Sequence, residues 1–134
     1  MFLEYNSNPD LIKTKFGIQD KEISGTAMYM IEDKDINPAA LDILGVIQGK
    51  APGVRICNGN SICRRGETQP VIYDLDGQIF EDTPFFLDII NIKRIAILPS
   101  LFSGVLYGTI AKYGVIIINT KSGNFSPDNV DNPN

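Results

Sequence analysis

The stretch from Leu106 to Gly123, LYGTIAKYGVIIINTKSG, limits the fold more than any other part of this chain. Glycines at 108 and 114 lead into an unbroken apolar run, Val115 to Ile118, which ends at the polar Asn119, Thr120 and Lys121, just before Gly123. A run this short with breakers on both sides reads as a buried strand. Gly108 and Gly114 then read as turns demanded by backbone geometry rather than as ligand sites.

The chain has 134 residues, enough for one domain with a real core. Its 43% hydrophobic and 21% charged residues are ordinary for a globular domain. The net charge is -4, and the lysines and arginines are scattered, whereas a nucleic-acid surface needs a basic stripe. No apolar run approaches the ~18 residues of a membrane helix. Met1 to Tyr5 lack the basic end and apolar centre of a signal peptide, so for a protein of the cell envelope the export signal is missing from this sequence. There is no histidine, which removes the commonest general base and the commonest metal ligand together. Ser100, Ser103 and Thr120 have no partner base, and Gly104 to Gly108 lacks the Lys-Ser/Thr ending of a phosphate loop. The expectation is a non-enzyme without cofactor or metal.

Cys57 and Cys63 flank Asn58 and Gly59, a strong hairpin-turn signal. A three-residue loop from Gly59 to Ser61 puts Cys57 opposite Cys63. The pair reads either as a cross-strand disulfide of an oxidising compartment or as two free thiols on half-buried strands. Elsewhere, Thr26 to Ile31 reads as a strand. Asn37 and Pro38 open a helix with Leu41, Leu44 and Ile47 on one face and Gly49 as its C-cap. Strands follow at Val54–Cys57, Ile62–Arg65 and Pro70–Tyr73, the last running into a turn over Asp74 to Gly77. Asp82 to Pro84 starts a short helix carrying Phe85, Phe86, Ile89 and Ile90. Lys93–Leu98 is a strand, and Pro99 and Ser100 cap a helix through Leu106. The apolar faces around Phe85, Phe86, Leu101 and Phe102 read as core. Residues 1–14 read as an irregular segment, 15–124 as the domain, and 125–134, rich in Asn, Asp and Pro, as a disordered tail. The class is α+β, a small mixed sheet with short packed helices.

Several segments, in order, resemble the plug domain of TonB-dependent outer-membrane receptors of the SusC-like kind. Phe16 and Gly17, then Ile23 to Ala27, are similar to the segment that opens such plugs. Gln48 to Val54 resembles "QGKxPGV", Ser61 to Gly66 the "IRG" strand, and Pro70 to Gly77 "PLYVIDG". Ile89 to Leu98 resembles "IESIEVLK", and Leu106 to Gly123 resembles "YGxxAxxGVIxITTKxG". The resemblance implies a plug-type fold over 15–124, with the Val115–Ile118 run central in its sheet and paired on both sides, occluding an outer-membrane β-barrel in the same or a separate chain, on the periplasmic side. It implies a plug motif, in contact with the barrel, made of Arg64, Arg65, Gly66, Asp76, Gly77, Tyr107, Gly108 and Gly114. Arg64 or Arg65 is expected to pair with a carboxylate such as Asp76 or to face solvent. TonB is the implied partner, although no TonB-box-like segment is evident in residues 1–14. A free-standing periplasmic interaction module of plug type is the alternative.

A second pattern competes over Asp74, Leu75, Asp76 and Gly77, which resemble the opening motif of haloacid-dehalogenase-type phosphatases. There the first Asp is the nucleophile and the second a general acid, with Mg²⁺ bound. Gln78 stands where Thr or Val usually follows, and only 57 residues follow Gly77. The competing reading of the same residues is a solvated turn closing a strand.

Overall fold

The computed structural model describes residues 5, 7–23, 26–98 and 100–125. Their centre is a five-stranded mixed sheet ordered β5-β10-β11-β8-β9, with three two-stranded hairpins around it. In chain order the strands are β1 (Leu11–Thr14), β2 (Gly17–Asp20), β3 (Glu22–Ile23), β4 (Thr26–Ala27) and β5 (Tyr29–Glu32). Then follow β6 (Val54–Cys57), β7 (Ser61–Arg64), β8 (Ile72–Leu75), β9 (Gln78–Phe80), β10 (Ile92–Ile97) and β11 (Val115–Thr120). Two helices, α1 (Ile43–Lys50) and α2 (Ser100–Tyr107), complete an α+β domain of mixed sheet and short packed helices, the class expected.

Strand β11 is paired on both sides, antiparallel to β10 and parallel to β8. It is also covered on both faces, which is why its apolar run does not alternate. Ile116 and Ile118 pack with Ile95, Tyr73 and Leu75 of the sheet, Ile43 and Ile47 of α1, and Ile62 of the β6–β7 hairpin. Val115 and Ile117 face the other way, onto Ala96, Leu98, Tyr107 and Ala111, and onto Ile12 of the N-terminal hairpin. One irregularity matters for the site. The β10–β11 register shifts between Ile92 and Arg94, leaving Lys93 as an extra residue. That bulge lets Ile92 and Ile95 share one face and sends Arg94 to the other.

Several local expectations give way to a specific competitor. Asn37 does not cap α1. Its Oδ1 accepts from Ala39 N at 2.9 Å and its carbonyl from Ala40 N at 3.0 Å, closing a turn, and Leu41 is left 97% exposed. The cap is Asp42, which accepts from Gly45 N, and Gly49 lies inside the helix, with Ala51 at the C-cap. The expected helix after Pro84 is a pair of tight turns and a 3-10 turn at Ile89–Asn91. Phe85 and Phe86 are 45% and 46% exposed rather than core, with Phe86 stacked on Phe125 at 5.4 Å. The strand expected at Pro70–Tyr73 runs two residues later. Residues 11–14, read as irregular, form β1, which pairs antiparallel with β2 and buries its own Leu11 and Ile12. The side chains of Leu101 and Phe102, and residues 126–134 of the expected tail, lie outside what is described.

Candidate functional site

Three polar side chains stand on one face of the sheet, one from each central strand: Asp74 on β8, Arg94 on β10 and Asn119 on β11. Each is buried, with exposures of 0%, 1% and 0%. A buried polar group needs partners, and here the N-terminal hairpin supplies them. Asn119 Oδ1 accepts from Lys13 N at 2.8 Å and from the Tyr5 hydroxyl at 2.8 Å, while its Nδ2 donates to Lys13 O at 2.8 Å. Asn119 thus pairs with the Lys13 backbone as a neighbouring strand would. Asp74 Oδ2 accepts from Lys15 N at 2.8 Å and from the Tyr107 hydroxyl, and its Oδ1 accepts from Gly77 N at 2.8 Å. Arg94 donates Nη1 to Tyr5 O at 2.8 Å and Leu11 O at 3.1 Å, and its Nε to Glu32. Its guanidinium also lies 4.5 Å from the Tyr5 ring centroid.

Burial shapes the chemistry of these groups. The Tyr107 phenol is raised well above its ordinary value, first by burial and then by the Asp74 carboxylate beside it. Tyr5 is pushed up to about 12, chiefly by burial, against the lowering influence of Arg94. Both hydroxyls therefore act as hydrogen-bond donors across the physiological range, not as acids. Among the described residues no buried side-chain polar atom lacks a partner. This is a fully satisfied polar layer between hairpin and sheet, the kind of interface that is specific without being hydrophobic.

The expected motif residues are spread over several places in the fold. Asp76 and Gly77 form the β8–β9 turn at φ 49° and 90°. The carboxylate of Asp76 accepts from Thr120 N at 2.9 Å, from the Thr120 hydroxyl and from Phe125 N at 2.7 Å. Neither arginine reaches it, so of the two expected alternatives, pairing with a carboxylate or facing solvent, Arg65 takes the second. Arg64 donates Nη1 to Leu98 O at 2.8 Å, and its half-buried stem packs on Gly114. Burial lowers its guanidinium below the usual value. Arg65 is exposed, beside Gly66 at φ 87°. Gly108 and Gly114 hold φ of 72° and 113°. A Cβ at Gly114 would stand 2.4 Å from Arg64 Cδ, whereas one at Gly108 would meet nothing within 4 Å. Tyr107 belongs with Asp74. Cys57 and Cys63 are joined by a disulfide with Cα atoms 5.8 Å apart. The register differs from the one expected. The loop is Asn58 to Asn60, so Cys57 faces Ser61 and the bridge runs diagonally to Cys63, which faces Arg55.

Asp74 is fully buried, with both oxygens engaged by the chain itself, so the phosphatase reading has no open nucleophile. A cleft of about 180 Å³ between Asp33, Ile36, Pro38, Ile89, Ile90, Ile92 and Lys121 is smaller than the roughly 300–1,000 Å³ of typical ligand pockets. Lys13, Arg94 and Asn119 were not singled out from the sequence. The signal for the last two was a polar residue inside an otherwise apolar strand.

No family profile matches the chain. It is 30% identical, over 138 aligned positions covering 88% of its length, to TonB-dependent receptor P26 of Formosa agariphila. The chain is related to the TonB-dependent receptors. In fold it resembles a chain of the RagAB peptide importer in its "open-open" state, with a TM-score of 0.62 over 78% of its length at 16% identity. It spans only 13% of the length of each of these two proteins.

Proposed function

We propose that this domain is the plug of an outer-membrane receptor, closing the lumen of a β-barrel through which a nutrient is taken up. TonB or an equivalent energy-transducing partner, acting on the N-terminal side, would shift the plug. The observation that carries the reading is the hairpin β1–β2. It carries the chain's N-terminal side, and it joins the sheet through the buried Ile12 and through hydrogen bonds between its backbone and Asn119, Asp74 and Arg94. Hydrogen bonds can be exchanged for bonds to water, so lifting the hairpin exposes Ile12 but leaves the larger core cluster on the other face of the sheet, around Ile43, Ile47, Ile116 and Ile118, in place. The relation to TonB-dependent receptors and the ordered motif series support the same assignment. The disulfide of the β6–β7 hairpin suits the oxidising periplasm. The protein is not an enzyme in this reading, and it meets the membrane only through the barrel.

The test is site-specific photo-cross-linking in the native envelope, with the reactive group at the exposed Arg65. The expected product joins residue 65 to a barrel strand, in the same polypeptide or a second one. Cross-links only to soluble periplasmic proteins would replace this reading by the free-standing interaction module.

A further inference from the structure

The two ends of the described chain meet at one turn. On the N-terminal side, Lys15 N donates to Asp74, and the backbone passes so close that a Cβ on Gly77 would stand 3.8 Å from Lys15 Cα. On the C-terminal side, Asp76, two residues along the same turn, accepts from Thr120 N, the Thr120 hydroxyl and Phe125 N. Gln78 Nε2 donates to Phe125 O at 2.8 Å, and the Phe125 ring packs against Phe80 and Phe86. The ends also touch directly, where Lys13 Nζ donates to Gly123 O at 3.3 Å. Asn119, which grips Lys13, is the neighbour of Thr120 on β11.

These contacts form a closed ring: hairpin, Asp74, turn, Asp76, exit segment, and back to the hairpin. Asp74 divides its two oxygens between jobs, one on Lys15 and Tyr107, the other on Gly77 N. The second contact shapes the turn in which Asp76 adopts φ 49°, a conformation uncommon for non-glycine residues but more accessible to Asp and Asn than to most. We propose that the hairpin and the exit segment Gly123–Phe125 form a single latch closed through the β8–β9 turn, so that freeing either end loosens the other. Coupling of this kind is reciprocal by thermodynamic necessity. The latch exists without any barrel. Its use, passing a pull on the N-terminal side to whatever the chain enters after Phe125, rests on the receptor reading.

Amide hydrogen exchange on the full 134-residue chain tests it. Asp74→Asn keeps the volume of the side chain but turns an N–H toward donors. Exchange is expected to quicken about five- to tenfold at residues 11–15 and also at 120–125, which Asp74 does not touch. Asp76→Asn should quicken the same two segments. Thr83→Val is the control: it breaks the buried Tyr73–Thr83 pair, and Tyr73 points to the opposite face of β8 from Asp74. It should leave the contrast between these segments and the rest of the chain unchanged. If Asp74→Asn fails to fold, Lys13→Met removes the direct link to Gly123, together with an ammonium 5.7 Å from the Tyr5 ring centroid, and should still quicken 121–125. Faster exchange confined to the mutated side overturns the latch, and no barrel is needed to see it.

Discussion

Replacing Asn119 with leucine asks how firmly the hairpin is held. The two side chains share the same branched skeleton, so the change removes polarity without altering side-chain shape, although leucine's methyls are bulkier and add to the loss at this fully buried site. Three hydrogen bonds disappear, each 2.8 Å long: two with the Lys13 backbone and one from the Tyr5 hydroxyl. At a net contribution of about 1 kcal/mol each, the loss is about 3 kcal/mol, and burying the orphaned Lys13 groups without water would raise it. For a chain of this length an unfolding entropy of roughly 2 cal/mol/K per residue converts this to a fall in Tm of roughly 10 °C. The loss is local first, because the hairpin can lift while the sheet remains. Lys13 and neighbouring amides should therefore exchange about a hundredfold faster, while Ile116 to Ile118 keep protection limited only by global stability. Urea denaturation and exchange mass spectrometry read the two effects separately. A stability change under about 1 kcal/mol, or hairpin exchange no faster than wild type, would refute the reasoning that these bonds hold the hairpin.

Gly114→Ala should cost about 2–4 kcal/mol and Gly108→Ala about 1 kcal/mol in urea denaturation, because both positions have positive φ but only Gly114 faces Arg64 Cδ at 2.4 Å. Reducing the Cys57–Cys63 bridge, which closes a short loop of sequence separation 6, should lower stability by about 2 kcal/mol, read by denaturation with and without reductant. Alkali should destabilise the domain. A phenol whose folded pKa is raised above its unfolded value near 10 contributes full stability below pH 10 and loses it as pH rises further. Tyr5, pushed up to about 12, accounts for a loss on the order of a few kcal/mol at most between pH 10 and 12, and Tyr107 acts in the same direction. Stability that stays level to pH 11 would contradict the burial of both hydroxyls.

The central strand was legible in the sequence because burial on both faces leaves an unbroken apolar run, and Val115 to Ile118 is such a run. The β6–β7 hairpin was legible from Asn58 and Gly59, but its register was not. Loops of Asn58–Asn60 and Gly59–Ser61 satisfy the same turn chemistry, and only packing chooses between them. Local capping signals misled at Asn37, where a turn used the side chain that a helix would have used, and Asp42 took the cap. The polar layer was the least legible part. Arg94 and Asn119 look like solvent-facing residues until the bulge at Lys93 and the overlying hairpin bury them. Asp74 was noticed, but in a catalytic pattern. Its partners, Lys15 and Tyr107, lie 59 and 33 residues away, and no local rule connects them.

The claim that this domain gates a barrel is tested most directly by electrical conductance across a planar bilayer. The native outer-membrane protein that carries or binds this chain would be compared with the same protein lacking residues 15–124. The account predicts a closed barrel with the domain present and an open, steadily conducting pore without it. Equal conductance in the two preparations would contradict the account.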